Sequence, residues 1–130
     1  MELERESRRQ PRHIKYAISQ NLIDDILKNE LKNFNFPKSP VYNESLRRAY
    51  GLTRYKSYPW GETEVTSIEV GKQGKADRNF LIDTLLHEYY EALIVNNQYK
   101  DKFYERLHYL PQTNRHEWVN KKIADFFNER

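Results

Sequence analysis

Apolar residues recur along this chain at the spacing of helices in some stretches and of strands in others. From Arg12 to about Phe34 they return every three or four positions, which predicts a long N-terminal helix with one apolar stripe. The stretch 78–96 is apolar around most of its circumference, and Asp77 precedes it as a possible cap. We therefore expect a buried helix there, at the centre of the fold.

Between these two helices, the residues favour extended structure. Strands are predicted at Leu52–Tyr58 and Glu64–Val70, with a turn at Pro59-Trp60-Gly61 between them. Alternation within the second strand predicts that one face carries Thr66, Ile68 and Val70.

Two further helices are predicted from their end signals. A short one covers Asn43 to Tyr50, with Gly51 in the position that commonly follows a helix. The last helix is capped by Thr113 or Asn114 and runs to about Asn128.

These elements predict an α+β fold. It consists of the long N-terminal helix, a small sheet of two or three strands, the central helix and a closing C-terminal helix. The chain has 130 residues, enough for one domain but not for two. Residues 1–10 are almost wholly charged or polar and are predicted to be a solvated extension, which leaves residues 11–130 as a single domain.

Composition narrows the function classes. The chain has no cysteine, which excludes disulfides and thiolate chemistry. A net charge of +3 is mildly basic, but acidic residues are interspersed almost throughout, which argues against a nucleic-acid footprint. The N-terminus lacks an apolar signal region, and no apolar run approaches the roughly 20 residues that a membrane span needs. We expect a soluble cytoplasmic protein with no membrane partner.

Three ionisable residues interrupt the apolar central helix. His87 and Glu91 are four positions apart and project side by side, with Glu88 next to them. A histidine and a carboxylate one turn apart can share a metal ion, and a neighbouring carboxylate can act on water. Alternatively, His87 and Glu91 form an ordinary polar pair at the rim of the core, which contributes a few tenths of a kcal/mol to helix stability.

The last helix supplies a possible third ligand. His116 lies at the head of the apolar stripe that continues through Val119 and Ile123, so its side chain should point towards the central helix. With His87 and Glu91 it would leave one position open on a tetrahedral zinc, as catalytic sites require. His108 is the alternative third ligand.

The central helix resembles the active-site helix of zincin metallopeptidases, particularly the small SprT-like and IrrE/ImmA-like groups. Those groups have the pattern L-L-H-E-x-x-H-A, and this chain has LLHEYYEA at 85–92. The last helix is similar to the second helix of the IrrE/ImmA group, in which a Glu ligand precedes an Asn by four positions. Here His116 precedes Asn120. The chain departs from the family at Glu91, which replaces the second motif histidine, and at His116, which replaces the glutamate. The set of two histidines and one glutamate is retained.

The resemblance implies a single zincin-like domain that hydrolyses peptides. Zinc, or another divalent metal, would be bound by His87, Glu91 and His116, and Glu88 would be the general base. The substrate would be a protein or peptide held in extended form on an exposed sheet edge. One alternative is a zincin-fold binding or regulatory module without catalysis, as on a phage or mobile element. A second is a nucleic-acid-associated protein, suggested by the basic pI and the many tyrosines.

Overall fold

A computed structural model describes residues 18–46, 49–60, 63–72, 77–96 and 112–129. These residues form helices and a small mixed sheet, so the predicted α+β class is confirmed. The elements in chain order are α1 (Gln20–Lys28), β1 (Val41–Tyr42), β2 (Gly51–Ser57), β3 (Thr63–Val70), α2 (Arg78–Asn96) and α3 (Gln112–Asn128).

The sheet has the order β1-β3-β2, with β1 parallel to β3 and β2 antiparallel to it. Arg54 pairs with Ser67 but Tyr55 pairs with Val65, so Thr66 is an extra residue in a β-bulge. The bulge shifts the alternation of inward-facing and outward-facing side chains along β3. Val65 is therefore buried on the core side, and Thr66 is exposed. The prediction that Thr66 shares a face with Ile68 and Val70 was therefore wrong.

Helix α2 is the centre of the core, as predicted. It contacts β3, β2 and α3, and both its predicted bounds and its Asp77 cap are confirmed. The Oδ1 of Asp77 accepts a hydrogen bond from the Asn79 amide at 2.8 Å. Its apolar side chains are buried, as expected of a central helix, including Ile82, Leu85, Leu86, Tyr89 and Leu93.

The N-terminal helix is shorter than predicted. Ser19 has extended backbone angles (φ −140°, ψ 162°) and caps α1 by accepting a hydrogen bond from the Leu22 amide at 3.2 Å. The helix ends at Lys28 rather than near Phe34, because the Asn29 side chain bonds the Asp25 carbonyl at 2.8 Å and turns follow. The predicted part at 12–17, the extension at 1–10 and His108 lie outside the described residues.

The segment from 41 to 51 also differs from its prediction. Val41–Tyr42 is a strand, and Asn43 begins a turn in which its Oδ1 accepts from the Ser45 amide at 3.0 Å. This local side-chain bond competes with helix formation, so the predicted helix is replaced by a turn among the residues described there. Gly51 starts β2 instead of following a helix.

A side chain occupies the outer edge of β1. The Gln20 side-chain amide takes the place of a neighbouring strand. It accepts a hydrogen bond from the backbone N–H of Tyr42 at 2.8 Å and donates one to the backbone carbonyl of Pro40 at 3.1 Å. On the other side of the sheet, no strand among the described residues pairs with the outer edge of β2. In this part of the chain the edge available to an added strand is therefore that of β2.

The last helix begins at Gln112, before the predicted caps, so Thr113 and Asn114 lie within its first turn. A cap contributes about 1 kcal/mol to helix stability. The burial of Trp118, Val119 and Ile123 in the core contributes more, so the position of this helix does not depend on a cap at Thr113 or Asn114. Among the described helices, none combines the length and the hydropathy that a transmembrane span requires.

Candidate metal centre

Helices α2 and α3 bring His87, Glu91 and His116 together. The Oε1 of Glu91 lies 3.9 Å from the Nε2 of His87 and 3.6 Å from the Nε2 of His116. The two imidazole rings are 5.9 Å apart between centroids. One possible ligand atom from each residue lies within 4.8 Å of those from the other two. The predicted convergence of these side chains is confirmed.

The packing of α3 on α2 explains this convergence. Trp118, two residues after His116, is buried and contacts the Tyr90 ring edge to face, with centroids 5.5 Å apart. Val119 joins the same core cluster. These contacts orient the first turns of α3, so His116 faces the side of α2 that carries Glu91.

The Glu91 carboxylate gives the cluster a reason to bind a cation. Its Oε1 is buried and has no hydrogen-bond partner within the described part of the chain. A buried acceptor left unsatisfied costs about 1–3 kcal/mol, and more when it is charged. A metal ion between the three side chains would satisfy it. Ligands about 2.1 Å from a tetrahedral zinc are about 3.4 Å apart, close to the 3.9 and 3.6 Å that separate the Glu91 Oε1 from the His87 and His116 Nε2 atoms.

The His87 imidazole is held in the form that binds metals. Burial lowers the pKa of His87 below its ordinary value, and this effect exceeds the opposing attraction of the Glu91 charge. A neutral imidazole retains a lone pair on one ring nitrogen, which is what coordination requires. The lowered pKa therefore favours the neutral form of His87, which is the form that can bind a metal.

Glu88 occupies a different environment, against the inward face of β2. The residue is 7% exposed, and its Oε1 accepts a hydrogen bond from the Thr53 hydroxyl at 2.9 Å. Burial raises the pKa of Glu88 to about 7, against the lowering effect of the Thr53 hydrogen bond and with a further rise from the Glu91 charge. A carboxylate with this pKa can gain and lose a proton near neutral pH.

Gly51 provides the space for that carboxylate. A Cβ at this position would lie 2.8 Å from both the Cγ and the Oε2 of Glu88. Gly51 and Thr53 are two positions apart on β2, so both face α2. Neither residue was identified from the sequence as part of the site. The only signal was their spacing on a strand, which does not show which helix residue the strand contacts.

All four site residues named from the sequence are thus brought to adjoining faces of α2 and α3, with the three possible ligands on one side and Glu88 on the side of β2. The chain matches no family model, and no curated protein or solved structure matches it significantly. The zincin resemblance accordingly stays a prediction that depends on the residues of these two helices.

Proposed function

We propose that this protein is a metal-dependent peptide hydrolase in which His87, Glu91 and His116 bind a divalent metal, with zinc as the first candidate. The observation that carries the proposal is the convergence of two imidazoles on a buried carboxylate oxygen without a hydrogen-bond partner. Two nitrogen ligands and one oxygen ligand are a donor set typical of catalytic zinc sites, and three protein ligands leave a coordination position open. The bound metal would polarise the scissile carbonyl and increase the acidity of water.

Glu88 would act as the general base. Its pKa of about 7 leaves a substantial ionised fraction at neutral pH to accept a proton from the attacking water. The same carboxyl group can then donate that proton to the leaving amine. Burial excludes other water from most of its surface, which strengthens its electrostatic interactions.

The substrate would bind along the edge of β2. An extended peptide can pair its main chain with an open strand edge, and the occupied edge of β1 makes β2 the available one in the described part of the chain. Thr53 belongs to β2 and touches Glu88, so a peptide on this edge would lie beside the general base. A protein or peptide in extended form is therefore the substrate class that we propose.

The test compares wild type with Glu88→Gln and Glu91→Gln, with Glu117→Gln as the matched control on an exposed position of α3. Metal content, melting temperature with and without chelator, and cleavage of a mixed peptide library are measured for each. Glu88→Gln should retain the metal and lose about 10²–10⁴-fold in cleavage rate. Glu91→Gln should lose metal because an amide is a weaker ligand than a carboxylate. Glu117→Gln should match wild type.

Each alternative predicts a different result. Equal metal content in all four proteins would reject Glu91 as a ligand, and unchanged cleavage by Glu88→Gln would reject it as the base. A full metal site without cleavage by wild type would favour a non-catalytic binding or regulatory module.

A further inference from the structure

We propose that Thr53 is a positioning residue that holds Glu88 in the orientation required of the general base. The inference rests on the proposed function and adds a residue of the edge strand to its machinery. Thr53 is not a catalytic residue in this proposal, because its hydroxyl contacts Glu88 and not the reacting atoms.

The first observation is the double contact between the two residues. The Thr53 Oγ1 lies 2.9 Å from the Glu88 Oε1 and 3.3 Å from the Glu88 backbone carbonyl oxygen. A hydroxyl has one proton, and the shorter distance assigns it to the carboxylate. The hydroxyl thus donates to the Glu88 carboxylate while lying beside the backbone carbonyl of the same residue, and this one hydrogen bond fixes the carboxylate relative to β2.

The second observation is the geometry of β2 around this contact. Thr53 pairs with Ile68, which is fully buried, so both side chains face the core and α2. Threonine is branched at Cβ and has few accessible χ1 rotamers, so the strand fixes the direction of its hydroxyl. Gly51 leaves room for the second carboxylate oxygen on the same face. Thr53 and Gly51 together form a cradle that fits one Glu88 rotamer.

The cradle lies on β2, the strand whose outer edge would take the proposed substrate. A peptide that pairs with β2 would order the strand from one side while Thr53 orients Glu88 on its inward face. The base would then be correctly placed relative to the bound peptide, because both would contact the same strand. A misplacement of a catalytic group by about 1 Å can cost about 10²-fold in rate.

The experiment uses Thr53→Val, which keeps the branched shape and removes the hydroxyl, and Thr53→Ser, which restores the hydroxyl. Thr66→Val is the matched control, since Thr66 is exposed on the bulge of β3. Thr53→Val should lower kcat about 10–100-fold, since a misplaced catalytic group can cost about 10²-fold in rate. KM and metal content should stay close to wild type, because no substrate contact and no ligand is removed. Thr53→Ser should recover most of kcat.

A second readout does not depend on activity. In the metal-free protein, three-bond NMR couplings should show one Glu88 side-chain rotamer for wild type and Thr53→Ser, and averaging between rotamers for Thr53→Val. An unchanged kcat and a single rotamer in Thr53→Val would overturn the positioning role while leaving the proposed function intact. Absence of cleavage by wild type would overturn the proposed function, and with it the role of Thr53 in catalysis.

Discussion

At the scale of single residues, Glu88 and Glu91 show how one turn of helix can give two carboxylates different chemistry. Viewed along α2, Glu91 lies about 40° from His87 and Glu88 about 100° from it. This rotation directs Glu91 towards His116 on α3 and Glu88 towards Thr53 on β2. The Glu91 carboxylate is suited to bind a cation, and the Glu88 carboxylate is suited to exchange a proton.

The raised pKa of Glu88 predicts how stability depends on pH. Because its pKa in the folded protein is about 7 against an ordinary 4.5, the group favours folding below pH 4.5, and that contribution is lost as pH rises through 7. At about 1.4 kcal/mol for each pH unit between 4.5 and about 7, the loss is about 3.5 kcal/mol. Glu88→Gln does not titrate, so its free energy of unfolding relative to wild type should increase by about this amount between pH 4.5 and pH values above 7.

Chemical denaturation of both proteins at a series of pH values, with chelator present, measures this difference. The chelator is needed because a bound metal ion would stabilise the ionised form of Glu88. His87 and the other titrating groups are common to both proteins, so their effects largely cancel. Parallel stability curves over the whole range would show that Glu88 is not buried as a neutral group.

At the scale of elements, prediction from the sequence succeeded where the apolar pattern was long and failed where side chains redirect the backbone. Helix α2 has its predicted bounds, since a 19-residue helix with apolar residues nearly all round has few alternatives. Helix α1 ends early because Asn29 bonds the Asp25 carbonyl, and the predicted helix after Asn43 is replaced by a turn at its start. The bulge at Thr66 likewise depends on pairing with β2, which alternation alone does not reveal.

The same distinction applies to the candidate site. His87, Glu88 and Glu91 were found from spacing within one helix, and His116 from the stripe of another. Gly51 and Thr53 were not found, because their contacts with Glu88 depend on which face of β2 meets α2. Contacts between elements distant in sequence follow from tertiary packing, whereas neighbours on one helix follow from its geometry.

Gln20 is predicted to stabilise the outer edge of β1. Gln20→Leu removes both hydrogen bonds to the edge of β1, leaving the Tyr42 amide and the Pro40 carbonyl without this partner. We expect a loss of about 1–3 kcal/mol in the free energy of unfolding, towards the lower value since the bonds are only partly buried. The Tyr42 amide should also exchange its hydrogen faster. Urea denaturation and amide exchange by NMR measure the two effects.

Asn21→Leu is the control for adding an apolar residue to α1, because Asn21 is the exposed neighbour of Gln20. Gln20→Glu supplies a second comparison, since its carboxylate can still accept from the Tyr42 amide but cannot donate to the Pro40 carbonyl. Slow exchange at Tyr42 should therefore persist in Gln20→Glu. If Tyr42 exchanged equally in all these variants, Gln20 would not be the group that occupies the edge.

At the scale of the whole molecule, α2 connects the other elements, and the candidate metal centre lies where α3 joins it. Apolar contacts of Trp118, Val119 and Ile123 attach α3 to the core. The polar contact between Glu91 and His116 lies at the N-terminal end of this attachment. A metal bound by His87, Glu91 and His116 would link α2 to α3 by coordinate bonds. Metal binding should therefore stabilise the docking of α3 more than it stabilises elements remote from the site.

Zinc titration tests this expectation. A ligand that binds only the folded state adds about 2.7 kcal/mol at a free concentration of 100 Kd, so zinc should raise the melting temperature of wild type. Hydrogen exchange of α3 amides should slow more than that of α1. His116→Ala should remove most of the effect, because two protein ligands bind zinc more weakly than three. His108→Ala should retain it. The reverse result, with the zinc effect kept in His116→Ala and lost in His108→Ala, would make His108 the third ligand and leave His116 as a neighbour of Glu91 without a metal role.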